Sequence, residues 1–231
     1  MTDNGDLRVT GATRLPEVEA DAFSASGATT VEGDVHADSV DASGSLEVGG
    51  TVVTDSLDAS GSTTIGGDLT ADRADTSGSL RVDGAASIHD YVSSGSATLG
   101  SLSGDHLHTT GSLAADSIDV ASIEGSGVIE AGQVRTDEFT FETKGDSEVG
   151  TLEADEIRVE RSSGLLGLDI IGGSNGTLTA DRIAGESVAL EGVTADRVEG
   201  ASVRIGPDCD IGTVDAEEVE VDESATVGEK R

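Results

Sequence analysis

The chain has 231 residues, and its chemically capable side chains are four histidines, one cysteine and 46 carboxylates. His106 and His108 flank the aliphatic Leu107, which puts both on the solvent side of a strand. Two ligands at i and i+2 can begin a metal site, but zinc takes four, and nothing adjacent completes the set. His36 and His89 stand apart, and none of the four is read as a catalytic base. A nucleophile needs a positioned base. Cys209 sits in GPDCD, between two carboxylates that disfavour its thiolate, and reads as an incidental thiol. A single cysteine excludes an internal disulfide framework and a zinc site built on several thiolates. GGSNG (172–176) lacks the GxxxxGK[ST] pattern of a phosphate loop and fails the G-G-x-G-x-D calcium nonapeptide. No catalytic residue, metal site or cofactor is assigned, and the chain is not read as an enzyme.

The one recurrent chemical feature is an aspartate register. A hexamer of aliphatic, any, small, Asp, any, aliphatic reads VEADAF at 18, VHADSV at 35, VVTDSL at 52 and LTADRA at 69, a constant spacing of 17. A degenerate copy, ASIHDY, starts at 86. Looser copies start at 102, 118, 134, 152, 178, 193 and 214. Asp21, Asp38, Asp55, Asp72, Asp105, Asp137, Asp155, Asp181 and Asp196 share one slot. Two readings stand for them. Each Asp makes a turn by bonding its own backbone, or the set forms a ladder that recruits K⁺, Na⁺ or Ca²⁺. Stacked about 4.8 Å apart, neighbouring charges repel by about 1 kcal/mol even in water.

The repeat also defines the elements that carry the register. Within one unit, Val35 and Ala37, Val40 and Ala42, and Leu46 and Val48 form three short runs of period-2 alternation, a strand signal. Three such strands in 17 residues describe one coil of a parallel β-helix. Gly44, Gly50 and Asp38-Ser39 fall at its bends, and Gly27, Gly61, Gly78, Gly95 and Gly111 keep the same beat. The interior is a narrow prism that suits small and branched aliphatic residues, in line with 2% aromatics. The expected fold is all-β: a single-stranded parallel β-helix of about 12 coils, each of 15–19 residues, forming one domain over 1–231. Regular coils cover 18–160, an irregular coil or loop 164–176, and looser coils 177–228. GDLRV (5–9) matches GSLRV (78–82) as an early coil, GPDCD (206–210) reads as a turn insertion, and 220–228 resembles a final coil.

Composition narrows the setting. Lys+Arg is 13 against 46 acids, a net charge of −33. Nucleic-acid backbones require a basic surface, so nucleic acid is not an expected partner. Docking on an anionic membrane through a polybasic patch is not expected either, which leaves membrane association by other means open. Only Lys144 and Lys230 are lysines. A Lys-poor acidic chain suits a cytoplasm of molar salt, where the Debye length is about 3 Å. A halophilic archaeal source is therefore expected, with an acidic calcium-binding secreted protein as the rival. The N-terminus has no basic or apolar signal regions and no stretch reaches 18 apolar residues. The expected location is the cytoplasm.

The coil consensus, G-x-L-x-V-x-G-x-V-x-A-D-x-V-x-A, resembles the bactofilins, polymer-forming cytoskeletal proteins. With the acidic composition it is most similar to their haloarchaeal relatives, the halofilins. The resemblance covers 18–160 closely and 176–228 more loosely. It implies a right-handed, triangular β-helix that polymerises end to end without nucleotide, acts in cell shape and lies at the inner face of the membrane. Bactofilins carry disordered tails, often with a membrane-targeting segment, and this sequence leaves few residues outside its coils. Hexapeptide acyltransferases share the β-helix but keep a strict six-residue beat, which this coil length does not.

Self-association also follows from the residues. The end coils of a β-helix present unpaired backbone groups that template further strands unless capped. Leu7 and Val9 mark the first coil; Val219, Val221 and Val227 mark the last. No amphipathic helix stands at either end, whereas Pro16 and the charged C-terminus oppose pairing. The partner expected first is a second copy of the chain. The alternative is a non-polymerising regulator or adaptor that binds a related filament or a membrane-associated partner. Leu165, Leu166, Leu168, Ile170 and Ile171 form the most apolar segment, read either as a buried coil or as an exposed patch for a partner, a lateral contact or a membrane surface.

Overall fold

The computed structural model describes residues 5–161 and 176–231. The apolar segment Leu165, Leu166, Leu168, Ile170 and Ile171 lies outside them. Every described element is a strand. The chain divides into two compact units, Met1–Asp116 and Ser117–Arg231, and each is a parallel β-solenoid.

In the first unit β1 (Asp6–Val9) and β2 (Ala12–Leu15) form the opening coil. The coils that follow alternate a long bent strand with a short one: β3 (Val18–Ala25) and β4 (Ala28–Val31), β5 (Val35–Ala42) and β6 (Ser45–Val48), β7 (Val52–Ala59) and β8 (Ser62–Ile65). Then come β9 (Leu69–Thr76), β10 (Ser79–Ser93) and β11 (Ser96–Thr109). The chain continues through β12 (Ser112–Thr143), within which the first unit ends at Asp116. In the second unit follow β13 (Ser147–Arg161), β14 (Leu178–Leu190), β15 (Val193–Ile205), β16 (Asp210–Val221) and β17 (Thr226–Lys230).

Each strand pairs in parallel with its counterpart one coil away. Val18 lies beside Val35, Val35 beside Val52 and Val52 beside Leu69, the spacing of 17 read from the hexamers. The step is 16 at the start, where Leu7 meets Phe23. It is 18 where Val134 meets Leu152, and 15 where Val188 meets Val203.

Six side chains per coil point inward. In β5 and β6 they are Val35, Ala37, Val40, Ala42, Leu46 and Val48, all buried, as the alternation required. In the second unit Leu152, Ala154, Ile157 and Val159, then Leu178 and Ala180, hold the same six positions.

Four sequence expectations change. GDLRV (5–9) lies on residues 21–25 rather than in the arc of GSLRV (78–82), because Leu7 pairs with Phe23 whereas Leu80 pairs with Thr63. The hexamers at 178 and 193 occupy a different arc from the one at 152. Leu152 pairs with Ile183 and Ile183 with Val198, so IAGESV and VEGASV are the true copies. Asp181 and Asp196 therefore leave the aspartate slot. The reason is geometric: a bare corner uses three residues, so inward positions 5, 6 and 1 (Leu178, Ala180, Ile183) have the same spacing as positions 1, 2 and 3. With the register corrected, the insertion at 206–210 amounts to one residue. Leu190 pairs with Ile205 but Thr194 with Asp210, and Asp208 absorbs the extra residue at φ 56.

The fourth change concerns size. Phe23, Tyr91, Phe139 and Phe141, all the aromatics of the chain, are buried inside. Small neighbours make the room. Tyr91 shares its coil with Ala86, Ser93 and Ala97, all buried, and its hydroxyl lies 3.2 Å from Thr76 Oγ1.

The glycine beat has a steric origin. A Cβ on Gly44, Gly61, Gly78, Gly95 or Gly111 would collide with the backbone carbonyl of the glycine one coil earlier. Their backbone angles are ordinary; among described glycines only Gly11, Gly127 and Gly192 have positive φ.

Candidate functional site

The residues expected to mediate assembly sit in the first coil of the first unit and the last coil of the second. In the first coil Leu7, Thr13 and Leu15 are half-buried inward residues and Val9 is buried. In the last coil Val219, Val221, Ala225 and Val227 are all half-buried, whereas their counterparts one coil earlier, Val203, Ile205, Cys209 and Ile211, are buried. Half-burial at an inward position means that one side is covered and the other is not. The backbone agrees. β1 pairs with β3, β2 with β4 and β17 with β16, and among the described residues none of the three has a strand on its other edge. No helix covers either coil among the described residues. An open edge of this kind is a template for another strand.

The two coils differ in charge. Outward residues of the first are Asp6, Arg8 and Arg14, all exposed. The last carries Asp215, Glu217, Glu218, Glu220, Asp222, Glu223 and Glu229, with Lys230 and Arg231 after them. Arg204 Nε donates to Glu220 Oε2 at 3.0 Å from one coil back. Arg231 holds the Glu229 carboxyl below its ordinary range through a side-chain hydrogen bond.

The sides of the units are polar. Val53 is the only large hydrophobic residue classed as exposed among those described, at 41%.

The aspartate register runs along the corner between inward positions 2 and 3. In the first unit it reads Asp21, Asp38, Asp55, Asp72, His89 and Asp105. In the second unit Asp137, Asp155, Glu186, Ala201 and Glu217 succeed one another. Among the described residues the side chains of Asp21, Asp38, Asp55 and Asp72 make no hydrogen bond, so they do not form the corner by bonding their own backbone. Two other aspartates bond backbone, across coils: Asp34 Oδ1 accepts from Thr51 N and Asp68 Oδ1 from Ala85 N, both at 2.8 Å. The bond from Thr51 N lowers the Asp34 pKa.

His89 occupies the aspartate slot. Its Nδ1 lies 3.0 Å from Asp105 Oδ2. That hydrogen bond and the Asp105 charge, with Asp72 and Asp90 nearby, raise its pKa above 6.5. His36, His106 and His108 are exposed, and no three His, Cys, Asp or Glu side chains converge on a common point among the described residues. Cys209 is inward-facing and 3% exposed; desolvation pushes its thiol pKa up, the opposite of a reactive cysteine.

The second unit neutralises part of its acid with arginine. Arg182 reaches Glu153 at 2.7 Å and Glu199 at 2.5 Å. Arg197 reaches Glu199 at 2.6 Å and Asp215 at 3.3 Å. The Arg182 hydrogen bonds lower the pKa of both glutamates.

Sequence reading placed Leu7, Val9, Val219, Val221 and Val227 in the end coils. It missed Thr13, Leu15 and Ala225 beside them, although ATRL and SATV show the same alternation. No family model, curated protein or solved structure matches this chain.

Proposed function

We propose that this protein is a structural scaffold that polymerises end to end, without nucleotide, through its outer coils and serves cell shape in the salt-loaded cytoplasm of a halophilic archaeon. The observation that carries this reading is the open edge of the first and last coils. Both leave aliphatic inward residues half-covered and strand backbone without a second partner. The polar sides direct self-association to those edges. The cellular role rests on the resemblance of the coil consensus to bactofilins and halofilins, and the acidic charge fits the salt.

The test is a substitution in the last coil. Val219→Asp or Val221→Asp places a carboxylate at a half-buried position that a second copy would cover completely. Sedimentation in about 2–3 M KCl should change from polymer to single chain, with the melting temperature nearly unchanged. Identical sedimentation of parent and variant would sink the reading.

A second reading is favoured by Pro16, which has no N–H to donate, and by the seven carboxylates of the last coil. Here the protein does not polymerise and instead caps or adapts a related filament. It predicts single chains for the parent in the same experiment.

A further inference from the structure

We infer that the side of the second unit carries a binding groove for a small zwitterion, its carboxylate held over Ala189 and its ammonium on Glu218. This goes beyond the scaffold reading and does not rest on it.

The groove follows from side-chain size. Arg158, Ala189, Arg204 and Glu220 lie in register on successive strands and form one outward column. Beside it Ser187, Ser202 and Glu218 form the next. Ser187, Ala189 and Ser202 are thus three short side chains ringed by long charged ones. The depression they leave has a volume of about 450 Å³. Val188 and Val203 between them face inward and are buried, so only short polar or methyl groups fill its base.

The groove is balanced in charge, unlike the chain. Two guanidinium groups and two carboxylates line it, against a net charge of −33 for the whole sequence. Arg158 Nη1 donates to Glu160 Oε1 at 3.1 Å, and Arg204 Nε donates to Glu220 Oε2 at 3.0 Å. Each bond engages one corner of a group with five N–H donors. The two arginines stand on either side of Ala189, about 10 Å apart along the sheet at their backbones. A carboxylate above Ala189 therefore meets both, with the hydroxyls of Ser187 and Ser202 as further donors. Glu218 follows Ser202 in register and supplies the acceptor for a cation. Neither the two serines nor Glu218 makes a side-chain hydrogen bond among the described residues.

The charges select the class of ligand. A dianion would meet Glu160, Glu218 and Glu220 as like charges, and a simple cation would meet the two guanidinium groups. A molecule that carries both signs avoids both penalties. All aromatic side chains of the chain are buried inside its coils. No ring face is there to hold a quaternary ammonium, so the cation is one that donates N–H.

The experiment is saturation-transfer NMR on the full chain in about 2–3 M KCl, which reads the ligand and works on single chains and polymers alike. The probes are γ-aminobutyrate, butyrate and butylamine. γ-Aminobutyrate should bind with a dissociation constant of about 1–10 mM. Butyrate and butylamine, each lacking one charged group, should bind at least about fivefold more weakly. Ala189→Gln fills the base of the groove, at a slot that already takes arginine in the coils on both sides. Glu218→Gln removes the acceptor at an exposed position. Each should weaken γ-aminobutyrate by about fivefold or more with the melting temperature unchanged. Butyrate binding as tightly as γ-aminobutyrate would overturn the zwitterion. Binding untouched by both substitutions would overturn the place, and absence of transfer to γ-aminobutyrate would overturn the site.

Discussion

Gly61 shows how little freedom a stacked coil leaves to single residues. Its Cβ would enter the carbonyl oxygen of Gly44, and the same contact recurs coil after coil. Gly61→Ala should therefore cost about 2–3 kcal/mol, the upper range for overpacking, read as a lower denaturation midpoint in urea. An unchanged midpoint would mean that the coils separate easily at this corner. His89 contributes differently. Its pKa is raised in the fold by Asp105 and the neighbouring carboxylates. Its stabilising effect is thus fully present below the unfolded value near 6.5 and fades as pH rises through the folded value. The parent should melt above His89→Gln at about pH 5.5 and level with it well above neutrality. A constant difference across pH would contradict the pairing. The place of His89 was legible, since ASIHDY keeps the hexamer with His in the Asp position. Its bond to Asp105 was not, because that depends on a side-chain rotamer across coils.

At the scale of the element, the corner ladder of the first unit and the arginine network of the second handle acid in opposite ways. Asp38, Asp55 and Asp72 stack with no side-chain hydrogen bond among the described residues. Asp55→Asn removes a charge between two like neighbours, each interaction being about 1 kcal/mol unscreened. It should raise the melting temperature in about 0.1 M salt and leave it unchanged in about 2–3 M KCl, where the Debye length is about 3 Å or less. Equal stabilisation of the parent by KCl and by sucrose at matched water activity would defeat the charge argument. The coils from 18 to 76 were legible because a constant step of 17 and six alternating inward residues agree, whereas the match to GSLRV puts the first coil, one step of 16 from Phe23, in the wrong arc. In the second unit the same pattern misleads. LTADRI and VTADRV satisfy the hexamer in another arc, since two corners of the coil each consume three residues. Only the pairing of Leu152 with Ile183 separates them. The buried aromatics were hidden for a related reason: whether Tyr91 fits depends on Ala86, Ser93 and Ala97 jointly, not on its own size.

At the scale of the molecule, each unit is a parallel β-solenoid, and the first and the last coil of the chain each carry an open strand edge among the described residues. Solenoids that end in solution carry polar caps. Here the first and last coils present Leu7, Leu15, Val219, Val221 and Val227 half-covered instead. That these residues lie in end coils could be read from the sequence; that they remain open could not, because it required showing that no described element folds over them. The central claim is that these edges pair with another copy. Negative-stain electron microscopy of the purified protein in about 2–3 M KCl, where charge repulsion is screened, tests it most directly. The account predicts filaments one solenoid wide, lost on Val219→Asp. Monodisperse single chains at every concentration would contradict it.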